Sequence, residues 1–117
     1  MITLGEITEW VLKNRRKTAF IDYTKETIMD ELIRCSNSRS MVVITDEQEQ
    51  IVGVATGIVS LNKDKFFVYN VLTTRPKIAK QMMQRFKTNF PGHTMEGMIR
   101  GTKHTHFNNI DKLINTL

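Results

Sequence analysis

Cysteine is almost missing from this chain: Cys35 is the only one in 117 residues. A lone cysteine cannot close an internal disulfide, so the fold does not depend on an oxidising compartment. No stretch approaches the roughly 20 apolar residues that span a bilayer. Residues 1–10 carry Glu6 and Glu9 and no long apolar run, so they do not read as a secretory signal. These absences point to a cytoplasmic protein that does not engage a membrane. Histidine is limited to His93, His104 and His106. The last two stand two residues apart, which turns them to opposite sides of a strand, and no further His or Cys lies near them. That spacing excludes the common zinc signatures, and no metal is expected. Repeats, low-complexity tracts and linker-like segments are also absent. With 40% hydrophobic and 25% charged residues the composition is that of an ordinary globular domain, so residues 1–117 are expected to form one domain around one core.

Acidic residues are scarce in one half only. Residues 1–60 hold seven Lys/Arg and nine Asp/Glu, net −2, whereas residues 61–117 hold ten and three, net +7. A basic half suits an anionic partner, either a nucleic acid or the phosphates of a nucleotide cofactor. A solvated basic surface is the plain alternative.

The apolar pattern predicts the elements. Thr3-Leu4-Gly5-Glu6 has capping-box spacing, and Ile7, Trp10 and Val11 follow at helical intervals, predicting a helix over Glu6–Arg16. A short edge strand over Ile2–Leu4 is the alternative there. A second helix is predicted over Thr24–Arg34, with Ile28, Leu32 and Cys35 on one face and Met29 and Ile33 beside it; Ser36-Asn37-Ser38 ends it. Three strands follow: Met41–Ile44, Ile51–Ser60 beyond a polar turn, and Phe66–Leu72, apolar on both faces except at Asn70. Ile51, Gly53, Ala55, Gly57 and Val59 should share one face of the middle strand. Thr73-Thr74-Arg75-Pro76 opens a third helix, read as a Thr cap with Pro at the first position. Its apolar arc is Ile78, Met82, Phe86 and Phe90, with Lys77, Lys80, Gln84 and Lys87 opposite. Pro91-Gly92 stops it. A strand over Met95–Ile99 and a closing helix over Phe107–Leu117 complete the expected order. The fold class is therefore α/β in composition, α+β in layout, with a mainly antiparallel mixed sheet flanked by helices.

This order resembles the GNAT superfamily of acyl-CoA-dependent N-acyltransferases. Thr45–Ala55, a polar turn leading into Ile51-Val52-Gly53-Val54-Ala55, is similar to that family's second hairpin, and Phe66–Phe86 to its cofactor-binding strand, loop and helix. The resemblance implies acetyl-CoA or another acyl-CoA as cofactor. Its pantetheine arm would pair with the strand at Phe66–Leu72, Val71 and Leu72 included. Its pyrophosphate would sit at the start of the following helix, on Thr73, Thr74, Arg75, Lys77, Ala79 and Lys80, where a helix N-terminus favours an anion. The sequence departs from the family loop, Gln/Arg-x-x-Gly-x-Gly/Ala. Lys77 stands at the middle glycine and Thr74 at the Gln/Arg position. The strand offers no acidic residue as a base, and the family's last two strands would fall past Leu117, as in a shortened member of bacteriophage type.

Catalytic residues are not identified. Cys35 reads as a small core residue rather than a nucleophile. Tyr69 is either a proton donor or core, and His104 either a general base or an exposed loop residue. Three readings stay open: an acyl-CoA-binding protein that transfers an acyl group to an amine, a catalytically inactive binding or structural module on the same fold, and a basic nucleic-acid binder using Lys77, Lys80, Lys87, Arg100 and Lys103. Nucleic-acid binding should be weak, since the basic stretch lacks interleaved exposed aromatics. A homodimer is expected to cover the sheet edge at residues 95–99.

Overall fold

A computed structural model of the chain describes residues 2–15, 19–60, 65–73 and 75–97. The helix predicted near the start is α1, Leu4–Asn14; it begins two residues before the expected Glu6, so Ile2–Leu4 is not a strand. Thr3 caps it: its hydroxyl oxygen accepts the Glu6 amide at 3.1 Å, and the hydroxyl donates to the Glu6 carboxylate at 3.3 Å. Ile7, Thr8 and Val11 face inward. A 3-10 turn at Ala19–Asp22, which the sequence pattern did not indicate, carries the fully buried Phe20. Helix α2, Lys25–Asn37, is capped by Thr24 and buries Ile28, Leu32 and Cys35 as expected, while Ile33 is 41% exposed. It runs through Asn37 because Ser38, not Arg34, occupies the C-cap position.

The sheet contains β1 (Met41–Thr45), β2 (Ile51–Val59), β3 (Lys65–Thr73) and β4 (Thr94–Gly97), in that spatial order. The first three pair antiparallel, and β4 runs parallel to β3 after the crossover helix α3, Pro76–Asn89. The result is a mixed α/β fold in three layers. Helices α1 and α2 cover one face through Ile7, Val11, Ile28, Leu32, Val54 and Leu72. Helix α3 covers the other through Met82, Met83 and Phe86 against Val42, Ile44, Ala55, Phe66 and Val68.

Two β-bulges rotate the strands. In β2 the partner shifts from Ile44↔Gly53 to Thr45↔Ile51, so Val52 is the extra residue and Ile51 turns to the α1/α2 side, not to the Gly53 and Ala55 side predicted for it. In β3 the partner shifts from Thr56↔Asn70 to Gly57↔Val68, leaving Tyr69 as the extra residue. Glycine is required at both close approaches of α3 and its partners: a Cβ on Gly53 would stand 2.6 Å from Ile78 Cγ2, and one on Gly57 would stand 2.4 Å from the Phe66 ring. Met98, Ile99 and the helix expected at Phe107–Leu117 lie outside the described residues, as do Arg100, Lys103, His104 and His106.

Candidate functional site

The residues expected to hold a cofactor run from β3 into α3, and the structure brings part of that set together. Val71 is half-buried against the α3-side core, but Leu72 is buried in the α1/α2 core, so their side chains are structural and only their backbone could serve a ligand. Thr74 lies outside the described residues. Thr73 is committed internally: its hydroxyl donates to the Val52 carbonyl at 3.0 Å and accepts the Arg75 amide at 3.2 Å. The cap of α3 is Arg75, which makes no side-chain cap bond, so the predicted Thr cap is not formed. Threonine at position 73 instead ties the strand end to the helix start.

That helix start is less open to an anion than its sequence suggested. Pro76 has no N–H, and the Ile78 and Ala79 amides both close onto the Arg75 carbonyl, at 3.0 and 3.3 Å. Of the first-turn amides this leaves that of Lys77. Ala79 is 5% exposed and packs in the core, which removes it from the phosphate set. Arg75, Lys77 and Lys80 are exposed and carry the positive charge there. One side is unsuited to phosphate: an open cleft of about 520 Å³ beside Arg75, Ile78 and Gln81 has Asp46 and Glu47 on its opposite wall. An anion would lie on the Lys77 and Lys80 side.

Sequence reasoning missed the second element, the bulge. Phe66 and Val68 face α3, whereas Leu72, at the same parity, faces α1 and α2. The phase flips at Tyr69, which frees it from the core role that simple alternation with Phe67 and Val71 gave it. Its phenol oxygen accepts a 2.8 Å hydrogen bond from Arg34 Nη2 on α2. The same guanidinium grips Glu31 at 2.5 Å and contacts Cys35 Sγ at 3.2 Å. Because the phenol oxygen receives a donor, its own hydrogen remains for a second acceptor. The Cys35 thiol lies 3.7 Å away and is held up from the ordinary thiol range mainly by burial, against the opposing pull of Arg34. It therefore stays protonated near neutrality, which agrees with its reading as a packed residue and not a nucleophile. Behind the bulge, Thr56 and Asn70 face each other across β2 and β3, and both are at most 1% exposed. Thr56 Oγ1 has no hydrogen-bond partner among the described residues. The one legible signal of all this was a lone Asn inside an otherwise apolar strand.

Among the described residues no group of three or more His, Cys, Asp or Glu is arranged to hold a metal ion, and no helix is long and apolar enough to cross a membrane. His93 rests its ring edge against Phe90. No protein-family model, no curated protein and no solved structure matches the chain.

Proposed function

We propose that the protein binds an acyl-CoA along the second half of β3, in a GNAT-like arrangement. The observation that carries this reading is that β3 leads directly into the basic start of α3. Tyr69–Thr73 would supply the backbone that a pantetheine arm pairs with. This stretch leads directly into α3, where Arg75, Lys77 and Lys80 gather three positive charges within two turns. The arm and the phosphates of one cofactor thus meet two adjacent features in the right order.

The thioester would lie at the bulge, beside the Tyr69 hydroxyl. Tyr69 would donate its proton to the departing thiolate, and Arg34 would hold the phenol in place. A carboxylate base does not stand on β3, and Glu31 is engaged with Arg34. Binding without turnover is therefore the companion reading, favoured by that engaged carboxylate and by the amides closed at the helix start. Both readings place the protein in the cytoplasm, where acyl-CoA is available and Cys35 stays reduced. Both also retain a homodimer joined through β4.

The test is a backbone NMR titration with acetyl-CoA. The reading expects shifts at Tyr69–Val71 and at Lys77 and Lys80. Shifts confined to α1, or none at all, would overturn it. Lys77→Gly and Lys77→Glu then define the lysine. If it grips phosphate, Gly weakens binding and Glu abolishes it; if it obstructs the site, Gly tightens binding.

A further inference from the structure

Helix α3 has a second face, opposite the arc that packs on the sheet. From Lys65 to Met95 the chain has no Asp or Glu, but it has six Lys/Arg, five of them at or on α3. At about 3.6 residues per turn, Gln81, Gln84 and Thr88 form the outermost ridge behind Lys77. Lys80 and Lys87 flank the ridge on one side, roughly 10 Å apart along the axis, and Arg85 flanks it on the other. All of these residues are exposed. The opposite layer is close to balanced. Residues 1–40, which supply α1 and α2, hold seven Lys/Arg and six Asp/Glu. The excess positive charge is thus concentrated at α3, and a polyanion is drawn to that face.

Three features select the polyanion. An anionic bilayer engages a basic helix whose apolar face can enter it, but the apolar arc of α3 is already buried against the sheet. Single-stranded nucleic acid is held by exposed aromatic platforms, but Phe66 and Phe86 are fully buried and Phe90 stacks on Phe66 at 4.3 Å. A duplex needs neither: a helix about 10–12 Å across, carrying cations on both flanks and amides on its ridge, suits a groove about 12 Å wide between two phosphate backbones. We propose that the outer face of α3 docks on double-stranded nucleic acid through its phosphates, without sequence preference.

Fluorescence anisotropy with a labelled 20-base-pair duplex tests this, between about 50 and 300 mM salt. Four contacts, from Lys77, Lys80, Arg85 and Lys87, give a slope of log affinity against log salt of about −3.6, with Kd in the range of about 1–100 μM at physiological salt. Arg85→Gln combined with Lys87→Gln should make the slope shallower by about 1.8. Both positions lie two to three turns from Pro76, so this pair leaves the proposed acyl-CoA site untouched and the two proposals fail independently. Lys13→Gln on α1 should change nothing. The proposal is overturned by any of four results: no binding at 50 mM salt, an unchanged slope in the double variant, tighter binding of a 20-nucleotide single strand, or binding of phosphatidylserine vesicles in place of the duplex.

Discussion

Gly57→Ala is the sharpest mechanical probe of the bulge. Gly57 has no positive φ, so alanine is allowed by its backbone, and any cost is steric. The added methyl would sit 2.4 and 2.6 Å from two Phe66 ring carbons and 2.7 Å from the Phe67 carbonyl oxygen. The ring cannot swing away freely: Phe66 is fully buried, with Phe86 at 4.8 Å and Phe90 at 4.3 Å between ring centroids. The carbonyl is backbone in a paired strand and can move only by disturbing the β2–β3 ladder. Overpacking of this kind costs about 1–3 kcal/mol, and the double contact places Gly57 at the upper end. The stiffer unfolded chain returns roughly 0.4–1 kcal/mol. The net loss is about 2 kcal/mol. With an unfolding entropy of roughly 2.1 cal/mol/K per residue, that lowers Tm by about 8 °C for a chain of this length. Urea unfolding followed by circular dichroism measures it. Adding Phe66→Leu should recover part of the loss, with a coupling of at least about 1 kcal/mol between the two sites. A loss under about 0.5 kcal/mol for Gly57→Ala, or strict additivity with Phe66→Leu, would refute the described packing.

Thr56→Val exchanges a buried hydroxyl with no partner among the described residues for a methyl of the same shape; unfolding in urea should show a gain of about 1 kcal/mol, and a loss would mean that the hydroxyl is satisfied, for instance by a buried water. Cys35, fully buried, should react with a thiol reagent on the order of 10³-fold more slowly in the native state than in urea, a rate near that of a free thiol being the contrary result. The pH dependence has a definite sign: burial raises the folded thiol's pKa above its unfolded value, so this contribution to stability is full below the ordinary thiol range and declines as pH rises toward the folded value, as denaturation midpoints from pH 7 to 10 would record.

Much of the architecture was legible because periodicity and burial agree. Ile28, Leu32 and Cys35 mark the inner face of α2, and Met82 and Phe86 that of α3, as their spacing requires. The three antiparallel strands followed from β-branched runs separated by polar turns. What escaped was whatever depends on one residue more or less in a ladder. The bulges at Val52 and Tyr69 invert the facing of Ile51 and Leu72, and a period-two pattern that is apolar on both faces cannot register that inversion. The Thr cap failed for a similar reason: Thr73 is used to hold β2 and Arg75 together, so the helix begins without a side-chain cap. Phe20 was missed because a four-residue 3-10 turn has too few residues to show a period. At the candidate site the basic residues were visible in sequence. The link from Arg34 to Tyr69 was not, because it joins residues 35 apart through a bulge.

Calorimetric titration of the purified protein with acetyl-CoA tests the central claim most directly. The account predicts saturable heat with a stoichiometry of one per chain, abolished in Lys77→Glu and retained in the Arg85→Gln, Lys87→Gln pair. The absence of any binding heat at millimolar acetyl-CoA would contradict it.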